Sequence, residues 1–112
     1  MESVRQQKVS RLLQKELSAL FQFESKAHFG GSLITVTIVR VSSDFSVAKV
    51  YLSLFLTKDK NELLQKINDR KWELRKKLAT TFKAQMRIVP ELIFYIDDSY
   101  DYAARIDELL KK

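Results

Sequence analysis

The chain has 112 residues, no cysteine, two glycines, one proline and a formal net charge of +6. That length supports a single domain, because two cores would each be too small to bury enough apolar surface. The missing thiols exclude disulfides, cysteine nucleophiles and cysteine-ligated zinc, and no apolar run approaches the roughly 20 residues that cross a bilayer.

With 46% hydrophobic and 30% charged residues, the composition is that of a folded globule. The N-terminal MESVRQQKVSRLLQKEL lacks the continuous apolar segment of a signal peptide. A soluble, cytoplasmic protein with no membrane partner is therefore expected. The positive charge favours polyanionic partners, but only its distribution can say which surface carries them.

From Val4 to about Phe23, the residues Val9, Leu13, Leu17 and Leu20 recur at helical spacing, with Leu12 beside them. Ser3 is placed to cap this helix. Lys8, Arg11 and Lys15 cluster about 140° from the apolar stripe at 100° per residue, which makes the outer side cationic. Residues 26–32, with the adjacent Gly30 and Gly31, read as a loop.

The period then changes. In LITVTIVRV, alternation puts Ile34, Val36 and Ile38 on one face and Thr35 and Thr37 on the other. In VAKVYLSLFL, Ala48, Val50, Leu52 and Leu54 share one face, and Lys49, Tyr51 and Ser53 the other. The intervening Ser42-Ser43-Asp44-Phe45-Ser46 is a cluster of turn formers, so the two strands form an antiparallel hairpin.

A helical segment follows from about Asp59 to Lys83. Leu63, Leu64, Ile67, Leu74, Leu78 and Phe82 keep one phase. The stripe is broken at Lys71, with Trp72 off its line. Either two helices meet near residues 69–72, or one straight helix carries a lysine whose stem lies along the core edge.

Pro90 belongs at the start of a third strand, ELIFYID, whose Leu92, Phe94 and Ile96 form its buried face. Asp97 to Asp101 opens a last short helix. The order is helix, strand, strand, helix or helix pair, strand, helix, and the architecture is an α+β two-layer domain with helices on one face of a three-stranded sheet.

Catalytic constellations are sparse. His28 is the single histidine and reads as a surface loop residue, since a metal site needs three or four clustered ligands. Two adjacent glycines cannot supply a Walker A loop or a dinucleotide fingerprint. Asp97, Asp98 and Asp101 form the densest carboxylate group, which reads as capping of the last helix rather than as a magnesium site. No enzyme activity, cofactor or metal is expected.

The basic run stands out. Arg70, Lys71, Arg75, Lys76, Lys77, Lys83 and Arg87 lie within residues 70–87 against one acid, Glu73. Lys76 and Lys83 share a helix side with Trp72 near it, a mixture of cation and indole suited to phosphate contact and base stacking. Lys8, Arg11 and Lys15 form a second patch.

Three stretches, in register, resemble the ribosome-binding factor A family. VSSDFSVAKVYLSLF resembles its Ser-x-Asp turn and Ala-Lys-Val-Tyr strand. RIVPELIFYIDDSYDYAARIDELLKK resembles its Arg-x-Val-Pro-Glu-Leu strand, the Asp-x-Ser after it and the closing Arg-Ile-x-x-Leu-Leu. RQQKVSRLLQKELSALF is similar to its first helix.

The resemblance implies a KH-like, type II fold in α-β-β-α-α-β order, with a kink between two helices in place of a Gly-x-x-Gly loop. It further implies a monomeric, non-enzymatic factor without a cofactor. Such a factor binds the free small (30S) ribosomal subunit through its 16S rRNA and supports late rRNA maturation. Arg87 corresponds to the family's arginine before Val-Pro-Glu-Leu, Arg75 to the arginine after the kink, and Arg70-Lys71-Trp72 to the kink itself. The candidate RNA-binding residues are therefore Lys8, Arg11, Lys15, Arg70, Lys71, Arg75, Lys76, Lys77, Lys83 and Arg87. A KH-like module for another RNA, and a protein adaptor using the Thr35, Thr37, Tyr51 and Ser53 face, stand as alternatives.

Overall fold

The computed structural model of the protein describes residues 2–82 and 89–97. Helix α1, Val4–His28, starts at a capping box: the Ser3 hydroxyl accepts from the Gln6 amide (3.1 Å), and the Gln6 side-chain oxygen accepts from the Ser3 amide (2.8 Å). Leu13, Leu17 and Phe21 are completely buried along its inner side.

The helix continues past Phe23, where the sequence periodicity lapses. The next two inward positions are Glu24 and Ser25, polar residues that are nevertheless buried. Ser25 is satisfied locally. Its hydroxyl donates to the Ser32 carbonyl, and its own carbonyl accepts from the amides of Phe29 (3.1 Å) and Gly31 (2.9 Å). Gly30 and Gly31, at φ +64° and +75°, make the left-handed turn that this closure requires. The expected loop at 26–32 thus shortens to residues 29–32, and His28 is the last helical residue rather than a loop residue.

Strands β1, Leu33–Val41, and β2, Val47–Phe55, form the expected antiparallel hairpin. Strand β3, Glu91–Ile96, adds parallel to β2, giving the order β1-β2-β3. Asp44 organises the hairpin turn: its carboxylate accepts from the hydroxyls of Ser42 and Ser46 (both 2.7 Å) and from the Ser46 amide (3.1 Å).

The strand register departs from strict alternation at one place. The β1–β2 pairing slips between Val36 and Ile38, so the core-facing set is Ile34, Val36, Val39 and Val41, while Ile38 is 41% exposed. A one-residue bulge moves every later side chain to the opposite face. Without it, Arg40 would have entered the core. On β2, Ala48, Val50, Leu52 and Leu54 face inward as expected, but Ser53 is also buried.

Helix α2, Lys60–Asp69, is capped by Asp59, whose carboxylate accepts from the amides of Asn61 and Glu62. Helix α3 spans Lys71–Phe82. Leu63 and Ile67 of α2, and Leu74 and Leu78 of α3, are buried on the same core as α1 and the inner face of the sheet. Phe21 meets Phe94 edge-on at 5.7 Å, tying α1 to β3. Leu92 and Phe94 are buried, Ile96 is partly so, and Pro90 precedes β3.

Both outer strands are held by side-chain amides from the helices. Gln14 Nε2 donates to the Val36 and Thr37 carbonyls (3.2 Å each), and Gln6 Nε2 to that of Val41 (3.0 Å). On β3, Asn68 bonds both backbone groups of Phe94, donating to its carbonyl (3.3 Å) and accepting from its amide (3.2 Å), as a neighbouring strand would. Such contacts leave less free backbone for edge pairing. The result is the α+β, KH-like order of three strands with helices on one face. The helix expected after Asp97, with Asp98 and Asp101, lies outside the described residues.

Candidate nucleic-acid interface

The break between α2 and α3 falls at Arg70, which leaves helical geometry at φ −101°, ψ 9° while its amide still donates to the Ile67 carbonyl (3.1 Å). The Leu74 amide then donates to the Arg70 carbonyl (3.0 Å), starting α3. Two helices meeting near residues 69–72, rather than one straight helix, is thus the correct reading of the interrupted stripe. Asn68, anchored on β3, fixes where the turn occurs.

The basic residues of this kink have different fates. Arg70 is mostly buried, with Nη2 2.6 Å from Glu73 Oε2 and 3.9 Å from Glu24 Oε2. Lys77 donates to Glu24 Oε1. Glu24, fully buried at the end of α1, also faces His28 Nε2 at 3.5 Å. One carboxylate therefore gathers basic side chains from α1, the kink and α3. A carboxylate without solvent needs such partners.

Arg75 is turned inward as well. Its guanidinium donates to the carbonyls of Val89 (2.8 Å from Nη2) and Pro90 (3.3 Å from Nε), which holds the approach to β3. Lys71 lies 3.9 Å from Glu91 and 5.6 Å from the Trp72 ring. Trp72 itself is 58% exposed. Lys83 and Arg87 lie outside the described residues.

The remaining candidates face water. Lys8, Arg11, Lys15 and Lys76 are exposed, and none has an ion-pair partner among the described residues. Because α1 runs to His28, Lys26 joins them, lying 18 residues beyond Lys8 and so in line with it on the wheel, about 27 Å away at 1.5 Å per residue. Ending the helix at Phe23 concealed this residue. Phe23, 67% exposed with Lys77 5.8 Å above its ring, connects this side of α1 to α3. The chemistry available is phosphate contact by free lysine and arginine, with Phe23 and Trp72 offering aromatic faces.

Among the described residues, no group of three histidine, aspartate or glutamate side chains could hold a metal ion, and no helix is long and apolar enough to cross a membrane.

Comparison with known proteins agrees with this architecture. The family model described as ribosome-binding factor A matches residues 5–110. The chain is 52% identical over 112 residues to ribosome-binding factor A of Cytophaga hutchinsonii, covering 100% of this chain and 84% of that protein. It is similar to the crystal structure of the Thermus thermophilus ribosome-binding factor A, with TM-score 0.67 and 26% identity over 81% of this chain and 94% of the other. It is also similar to the Thermus thermophilus coordinates fitted into a cryo-EM map of a complex of 30S with ribosome-binding factor A, with TM-score 0.56 and 27% identity over 78% and 93% of the two chains. A match along nearly the whole sequence, together with the same fold, places the chain: it belongs to the ribosome-binding factor A family.

Proposed function

We propose that the protein is a single-domain, non-enzymatic assembly factor that binds the free 30S subunit through 16S rRNA and supports late maturation of that RNA. In this reading it acts as a monomer, in the cytoplasm, and without a cofactor. The observation that carries the reading is the outer side of α1. Lys8, Arg11, Lys15 and Lys26 run along it without acidic partners among the described residues and meet α3 where Lys77 overlies Phe23. The relative seen in a 30S complex supports the choice of partner.

The cations divide by role. Lys8, Arg11, Lys15, Lys26 and Lys76 contact phosphate, while Arg70, Arg75 and Lys77 chiefly hold the helix pair in position, and Lys71 frames the exposed Trp72. Lys83 and Arg87 belong to the same basic run and complete the proposed RNA-contacting set. Charge reversal of Lys8, Arg11 and Lys15 together tests this. Cosedimentation with free 30S at moderate salt should fall at least tenfold, with helix content unchanged by circular dichroism. Undiminished binding would remove α1 from the interface.

A further inference from the structure

We infer that the sheet face opposite the helices is a second nucleic-acid surface, on which an unpaired RNA base stacks against Tyr95 while Arg40 and Lys49 take the flanking phosphates. Among the described residues no helix covers this face. It is separate from the α1–α3 side, and its chemistry is independent of the 30S proposal.

Outward-facing positions on the three strands come into rows. In one row, Ile38, Tyr51 and Tyr95 are register partners, and the two tyrosine rings are stacked, with centroids 5.4 Å apart and planes inclined by 26°. Tyr95 is on β3, the outer strand, so the side of its ring away from Tyr51 faces beyond the sheet. It is 37% exposed and Ile38 41%. A base placed there would extend an existing two-ring stack, a geometry every base can adopt because each has a π-face.

The neighbouring row opposes Arg40 on β1 directly to Lys49 on β2. Like charges in that relation destabilise a sheet. Both side chains are exposed, and neither has an ion-pair partner among the described residues. Between them lies a depression of about 240 Å³, lined also by Val41, Ser42 and Val47. An anionic ligand relieves the repulsion, and a polyanion with planar bases satisfies both rows at once. Asp44 adjoins the depression through Ser42, but its carboxylate is taken up by the Ser42 and Ser46 hydroxyls (2.7 Å each) and the Ser46 amide (3.1 Å). Asp97 accepts a hydrogen bond from Thr37 (2.6 Å), and Glu91 faces Lys71. The edge contacts of Gln6, Gln14 and Asn68 make strand addition by a peptide the poorer use of this sheet.

The test is an NMR titration of the full chain with short single-stranded oligoadenosine, together with anisotropy measurements on a labelled copy. Amide shifts at Ile38, Arg40, Lys49, Tyr51 and Tyr95 are expected. Tyr95→Ala should weaken binding about tenfold, the scale of one missing base stack. Tyr95→Phe should bind like the parent, and Lys49→Glu should lower both the affinity and its salt dependence. The proposal is overturned if shifts avoid this face or if Tyr95→Ala and Lys49→Glu both bind unchanged. It is overturned as well if a duplex of the same length shifts the same sheet-face amides equally, since stacking needs an unpaired base. Loss of 30S binding by Tyr95→Ala with oligoadenosine binding intact would assign the face to a protein instead. The amide shifts on this face are read separately from any binding at α1, and anisotropy measured in the Lys8, Arg11 and Lys15 charge-reversal background isolates the sheet-face contribution.

Discussion

The ammonium of Lys77 donates to the carboxylate of Glu24, a side chain with no solvent exposure, whereas the adjacent Lys76 faces water without a partner among the described residues. Two neighbouring lysines thus have opposite roles, one in the joint between α1 and α3 and the other on the surface. Removing each to methionine separates them. Lys77→Met should lower unfolding free energy by about 1–3 kcal/mol, because Glu24 loses its hydrogen-bonded partner. Lys76→Met should stay within about 0.5 kcal/mol of the parent. Urea denaturation of both variants measures the contrast, and equal effects would refute the division.

Asn68 is the second joint. Its carboxamide makes two hydrogen bonds to the Phe94 backbone while lying two residues before the helix break. Asn68→Ala should cost about 1–2 kcal/mol, from two missing bonds partly replaced by water. The Phe94 amide should also exchange faster with solvent. Asn68→Asp, which sets a carboxylate oxygen against the Phe94 carbonyl where the donor stood, should cost at least as much as Asn68→Ala.

Acid should loosen the hairpin turn. Hydrogen bonds from the Ser46 hydroxyl first, then from the Ser42 hydroxyl and the Ser46 amide, lower the Asp44 pKa from the ordinary 3.8 to about 2. A pKa depressed in the folded state means the stabilisation is present above the ordinary value and is lost as pH falls through that window. An NMR titration of the Asp44 carboxyl should show a midpoint near 2. The loss of stability between pH 3.8 and about 2 should be smaller in Asp44→Asn. A midpoint at the ordinary value would contradict the turn geometry.

The sequence showed most of the architecture because its apolar periods are regular: Leu13, Leu17, Ala48, Val50, Leu52, Leu63, Ile67, Leu74 and Leu78 are all where alternation or helical spacing puts them. It hid four features, each for a physical reason. The last turn of α1 buries Glu24 and Ser25, which no hydropathy pattern marks as core. The β1 bulge breaks the alternation, although Arg40 in the buried phase was its visible signature. The basic run looked uniform from Arg70 to Arg87, but a charge count does not register that Arg75 is taken up by the Val89 and Pro90 carbonyls, or Lys77 by Glu24. The stacked Tyr51 and Tyr95 come from strands far apart in sequence, and only their parallel register brings them together.

The salt dependence of RNA binding should sort the same residues. Every phosphate that the protein ceases to neutralise lowers the slope of log K against log salt by about 0.7 for a single strand and about 0.9 for a duplex. Lys8→Ala, Lys15→Ala and Lys26→Ala should each reduce the slope by roughly that amount, and Arg75→Ala should act through stability instead. A flat slope in the parent would exclude a phosphate-led interface.

Binding to the small ribosomal subunit through the free cations of α1 and α3 is the property on which the proposed function stands. Cosedimentation with purified 30S subunits over a salt series, parent against the Lys8, Arg11 and Lys15 charge-reversal variant, measures it most directly. Parent binding should weaken steeply with salt, and the variant should bind at least tenfold less at the lowest salt. Binding that is insensitive to salt, or equal in parent and variant, would contradict it.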